Sequence, residues 1–125
     1  MGLISARIFG MDAAVNLAVE SKDDVLILRV SGRLDAVSSP QLEKQVMDAI
    51  AEQDYSKVLM NFKDVNYLSS AGMRLLLSTT KKMKSKGGKF VISNISDNVM
   101  EVIKMAGFDH ILSICANEEE GLQTL

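Results

Sequence analysis

The sequence is poor in the residues from which sites are built by cross-linking or metal capture: its 125 residues include one cysteine, one histidine, one proline and no tryptophan. Cys115 alone cannot close an internal disulfide, and with His110 as the single histidine it cannot complete a protein-only zinc site of the common Cys/His types. No metal and no other cofactor is expected, and the cysteine usage fits a reducing cytoplasm. A surplus of charge of one sign is missing too. With 14 basic residues against 16 acidic ones the net charge is −2, which argues against a protein that works by neutralising phosphates, so nucleic acid is not an expected partner. No apolar run approaches the roughly 18 residues that span a bilayer, and the short apolar start is broken by Arg7, so neither direct membrane insertion nor a secretory signal is expected.

What is present is enough apolar residue, 47% of the chain beside 24% charged, for one core. A chain of this length buries roughly two thirds of the surface that its unfolded state exposes, so it folds without staples. Met11 restarts a plausible sequence, so residues 1–11 read as a disordered extension ahead of a single domain over 12–125. Ala14 to Glu20 and Val25 to Ser31 read as two strands across a polar turn, the second apolar enough to be buried on both faces. Ser38-Ser39-Pro40-Gln41 supplies helix-start chemistry, a serine cap followed by proline, for a helix to about Gln53 with Leu42, Val46, Ala49 and Ile50 inward. Val58 to Phe62 reads as a buried strand. Leu68 to Arg74 leads into a second helix with Gly72, Leu75, Leu76, Thr79 and Met83 on one face, stopped by lysines and Gly87-Gly88. Lys89 to Ser93 is a further strand, and Ser96 or Asp97 caps a third helix with Val99, Val102, Ile103 and Ala106 inward, stopped by Gly107. His110 to Cys115 reads as an edge strand and Glu118 to Leu125 as a terminal helix with acids in its first turn. The order β-β-α-β-α-β-α-β-α predicts an α/β domain: a small, mixed, mostly parallel sheet flanked by about four helices.

In such sheets function gathers where strands run out into helices. One such loop carries Asp35 with Ser38 and Ser39; another carries Ser69 and Ser70 at a helix N-terminus. A phosphate is tolerated there by unpaired amides and the helix dipole, and Arg74, four residues after Ser70, is placed to hydrogen-bond it. The bland alternative is that Ser69 or Ser70 only caps the helix. No catalytic residue stands out. His110 has no triad context, Ser69-Ser70-Ala71-Gly72 is not a G-x-S-x-G elbow, and Gly87-Gly88 is not a P-loop. Asp35 and Asp64 lack a paired acidic cluster that would hold a metal. The residues favour a binding module over an enzyme.

Gly32-Arg33-Leu34-Asp35, the strand Val58 to Phe62 with Asp64 to Arg74 behind it, and Met105-Ala106-Gly107-Phe108 together resemble the STAS domains of bacterial anti-sigma factor antagonists, over about 12–125. The resemblance implies partner switching. The unphosphorylated form would bind an anti-sigma factor that carries a GHKL-type serine kinase domain and free the sigma factor; phosphorylation would end binding, and a PP2C-type phosphatase would restore it. The family's loop reads Asp-Ser-Ser/Thr-Gly-Leu-Gly with the first serine as acceptor. Setting its glycine on Gly72 and its leucine on Met73 puts the acceptor on Ser70; Ser69 then stands for the aspartate and is a rival acceptor, Ala71 replaces the second hydroxyl residue, and Arg74 replaces the last glycine. Asp35, Ser38, Ser69, Ser70, Gly72, Met73 and Arg74 are the partner-binding residues this alignment suggests. Two other readings remain open at this stage: a STAS adaptor subunit of a transport complex, and a small nucleotide-binding enzyme using the same loops.

Overall fold

The computed structural model describes the backbone of residues 6–10 and the chain over 15–125. Strands β1 (Ala6–Gly10), β2 (Val15–Lys22) and β3 (Val25–Leu34) precede helix α1 (Ser38–Gln53). Strand β4 (Lys57–Leu68), helix α2 (Ser70–Ser85), strand β5 (Lys89–Ser93) and helix α3 (Asp97–Met105) follow. A 3-10 turn (Phe108–His110), strand β6 (Ile114–Cys115) and helix α4 (Glu118–Thr124) complete the chain. Among the described residues six strands form one sheet in the order β1-β2-β3-β4-β5-β6, with the first two pairings antiparallel and the last three parallel.

The alternation of a strand's side chains assigns its residues to two layers. Leu26, Leu28 and Val30 of β3, Val58, Met60 and Phe62 of β4, and Phe90 and Ile92 of β5 meet Leu42, Val46, Leu75, Leu76, Val99 and Ile103 from α1, α2 and α3. Val25, Ile27, Leu59, Val91 and Cys115 point to the other face, where α4 lies with Leu122 against them. Cover on both faces explains why β3 and β4 read as continuous apolar runs.

Several expectations change. Residues 6–10, placed in an extension by the sequence, pair antiparallel with β2 in the register Ala6 to Glu20 through Gly10 to Asn16; residues 1–5 and 11 of that expected extension lie outside the described residues. Strand β4 runs on to Leu68, because Val65 and Leu68 still find the core while Lys63, Asp64, Asn66 and Tyr67 face out. The β3–β4 pairing shifts register between Arg29 and Ser31 and again between Gly32 and Arg33, where Gly32 supplies a φ of 104°. The expected edge strand from His110 shrinks to Ile114–Cys115, because His110 belongs to the 3-10 turn and the chain from Ile111 to Ser113 forms no strand. On α3, Val99 and Ile103 are buried as expected but Val102 and Ala106 are exposed.

Candidate functional site

The carboxyl ends of β3 and β4 sit side by side, Leu34 opposite Leu68, so the two loops singled out in the sequence share one end of the sheet. The chain after β3 closes on itself through Asp35. One carboxylate oxygen, Oδ1, accepts from the Val37 amide at 3.0 Å and the Ser38 amide at 2.9 Å. The Ser38 hydroxyl donates to the Arg33 carbonyl at 2.7 Å, lies 3.1 Å from Asp35 Oδ1, and accepts from the Asp35 amide at 3.1 Å. Bonds from the Ser38 amide first, then from its hydroxyl, hold the Asp35 carboxyl below its ordinary range. The helix-start chemistry therefore belongs to Asp35, not to a serine: Ser38 is the first residue of α1, and Ser38 and Ser39 are each 1% exposed. Ser38 holds the loop's shape and presents no side chain to a partner.

The second loop locks onto the first. Ser69 caps α2, its Oγ accepting from the Gly72 amide at 3.3 Å. The same hydroxyl donates to the Leu34 carbonyl at 2.7 Å, and the Ser69 amide reaches that carbonyl at 2.9 Å. Gly72 is what lets α2 come this close: a Cβ there would stand 2.6 Å from Leu68 Cδ1, 2.9 Å from Leu34 Cβ and 3.1 Å from the Leu34 carbonyl oxygen. Gly72 is therefore a packing residue, and Met73, 5% exposed, is floor rather than contact. Of the residues the alignment suggests, the structure leaves Ser70 and Arg74 exposed, Asp35 half-buried and Ser69 half-buried with its hydroxyl engaged.

Ser70, Met73, Arg74 and Leu77 line a depression of about 270 Å³ with Ala106 and Phe108 from beyond α3. On its other side Arg74 borders a second depression, of about 290 Å³, with Pro40, Glu43, Lys44, Met47 and Ala71. Large apolar side chains stand open at this end of the molecule: Val37 after β3 is 80% exposed, Met105 on α3 is 83% exposed, and Tyr67 on β4 carries the Arg33 guanidinium 4.3 Å above its ring. An exposed hydroxyl and an exposed cation beside the apolar walls of that first depression make a surface suited to another protein. A recess of about 400 Å³ at the β5–β6 edge, lined by Met83, Lys84, Phe90 and Ile114 among others, is separate from it. His110 is exposed on the 3-10 turn, and among the described residues no group of three His, Cys, Asp or Glu is placed to hold a metal.

One polar constellation escaped the sequence. Arg29 on β3 makes a bidentate pair with Glu118 on α4, with Nε and Nη2 each 2.9 Å from its carboxylate oxygens, and reaches Glu20 on β2 at 2.6 Å. Asn61 on β4 adds a bond to Glu118 at 2.7 Å. Burial pulls the Glu118 carboxyl upward, but the bonds from Arg29 and Asn61 and the Arg29 charge outweigh it and set it below its ordinary range. This tie fastens α4 to three strands. Its partners lie 89 and 57 residues apart, beyond any local pattern.

The chain belongs to the STAS-domain family, whose model matches residues 16–121. More particularly, it is 28% identical over 109 residues to the anti-sigma-B factor antagonist of Bacillus subtilis, covering 87% of this chain and 98% of that one. Its fold is similar to that of an anti-sigma factor antagonist from Mycobacterium paratuberculosis, with a TM-score of 0.78 at 24% identity over 89% of this chain and 93% of that chain. It is also similar to the Bacillus cell fate determinant SpoIIAA solved in its phosphorylated form, with a TM-score of 0.62 at 18% identity over 96% and 98% of the two chains.

Proposed function

We propose that this protein is an anti-sigma factor antagonist that works by partner switching, with Ser70 as the switch. Unphosphorylated, it binds an anti-sigma factor bearing a GHKL-type serine kinase domain and so releases the sigma factor. The kinase transfers the γ-phosphoryl group of ATP to Ser70 Oγ; the hydroxyl proton leaves to a kinase base and ADP departs. A PP2C-type phosphatase returns the serine by hydrolysis. The chain itself performs no chemistry and acts in the cytoplasm.

The observation that carries this reading is the contrast between adjacent serines. Ser69 spends its hydroxyl on the Leu34 carbonyl and the Gly72 amide, whereas Ser70 is exposed on the outer face of the first turn beside Arg74. A phosphate on Ser70 puts about −1.5 to −2 charges at the positive end of α2, so the domain keeps its fold while its surface changes sign. The names of the relatives, anti-sigma factor antagonists, and the phosphorylated state of SpoIIAA support the same role.

The test is affinity capture from the native lysate with wild-type and Ser70→Asp baits, both checked for folding by circular dichroism. Retention of a GHKL-type kinase by the wild type and its loss with the variant is the expected result. A transporter subunit held equally by both baits would replace the switch with an adaptor role.

A further inference from the structure

We propose that Arg74 is a built-in receptor for the phosphate on Ser70: once Ser70 is modified, the guanidinium one helical turn away closes on the phosphate. Phosphorylation then withdraws Arg74 from a partner as well as adding charge. The inference rests on the reading of Ser70 as the acceptor.

Three observations converge. Ser70 opens α2 and Arg74 follows four residues later, the spacing at which helical side chains meet. Both are exposed, and both line the same depression, whose remaining walls, Met73, Leu77, Ala106 and Phe108, carry no charge to compete for either. Third, Arg74 is uncommitted. Among the described residues no ion pair joins it to a carboxylate, while Arg29, Lys57 and Lys86 all have acidic partners. The charged groups that face it come from α1, where Glu43 and Lys44 border the second depression.

A free arginine in the first turns of a helix is electrostatically misplaced, because the amides there already form the positive end of the dipole. A phosphate on Ser70 reverses that disadvantage. It gives the dipole an anion and offers the planar guanidinium fork two oxygens to grip. The two states of Ser70 thus correspond to two states of Arg74. With a free hydroxyl, Arg74 is an available cation between two depressions, suited to a partner's carboxylate; with a phosphate it is neutralised within its own chain. The family's loop has glycine at this place, so the device belongs to this chain's own departure from the pattern.

The pair is read without any partner. The full chain is prepared with phosphoserine encoded at position 70, and its phosphate is titrated by phosphorus-31 NMR in the wild-type background and with Arg74→Gln or Arg74→Lys. The second ionisation of a free phosphoserine lies near pH 6. With Arg74 in place it is expected lower than in the Arg74→Gln protein by about 0.15 to 0.4 pH unit, the size of an exposed helical ion pair. Arg74→Lys, which keeps the charge without the fork, should fall between them. Equal midpoints in the arginine and glutamine proteins would overturn the proposal while leaving the switch intact. Conversely, an anti-sigma factor that still binds the phosphorylated chain refutes the switch itself, whatever the titration shows.

Discussion

Gly72→Ala tests whether the site is set by how closely α2 can approach β3. The added methyl would meet Leu68 Cδ1 at 2.6 Å and Leu34 at 2.9 Å and 3.1 Å, the last being a backbone oxygen. Leu34 and Leu68 are 0% and 3% exposed, so neither has room to retreat. Forcing an extra methyl into such a place costs about 1 to 3 kcal/mol. Alanine recovers part of glycine's helix penalty of about 1 kcal/mol, less than the full amount so near the helix start. The net loss is about 1 to 2 kcal/mol, a fall of roughly 4 to 8 °C in Tm for a chain of this size. Urea denaturation should show a lower midpoint at unchanged slope. Gly87→Ala is the control: there a φ of 71° disfavours any side chain, but nothing lies within 4 Å of the new methyl. Its cost, about 1 kcal/mol, comes from backbone strain alone. A Gly72→Ala protein as stable as the wild type would refute the claim that close approach, rather than partner contact, holds glycine at this position.

The adjacent serines should separate by stability as they do by geometry. Ser69→Ala loses the cap of α2 and its bond to the Leu34 carbonyl, for about 1 kcal/mol, whereas Ser70→Ala should stay within about 0.5 kcal/mol of wild type; equal losses in urea titrations would contradict the assignment of roles. Acid should undo the α4 tie. The Glu118 carboxyl is set below its ordinary value of 4.5, so its contribution is complete above that pH and is lost as pH falls through the lowered value. The stability gap between wild type and Glu118→Gln should be about 1 kcal/mol at pH 7, discounted for the 41% exposure of the Arg29 side chain, and close as pH falls through that lowered value. A gap that ignores pH would mean that the ion pair is not what fastens the helix.

The parts of this molecule that could be read from the sequence are those whose signals are local. Val58 to Phe62 and the Leu75, Leu76, Thr79 and Met83 face of α2 declare themselves by period and length, and all are buried. Gly107, with a φ of 77°, ends α3 as glycine after a helix should. The α1 start was harder, because two serines and a proline advertise a cap that Asp35, three residues ahead, had already made. Strand β1 has no turn signal before β2 and exists by its register with residues further along the chain. That the Ser69 hydroxyl is engaged while Ser70 is exposed needed the Leu34 carbonyl, 35 residues away, to be put beside the loop.

The strand order carries a consequence for how the chain assembles. Because the sheet runs β1 to β6 without a transposition, each strand lies beside the one made immediately before it. No strand has to be threaded between two that are already in place. The sheet can accrete at one edge as the chain leaves the ribosome, each crossover helix folding down over strands that are already paired. Glu118, which follows every strand in chain order, bonds back to Arg29 on β3 and Asn61 on β4, and through Arg29 to Glu20 on β2, closing the far face. The helix that follows the sheet in chain order is thereby the one that locks the order in which the strands arrived.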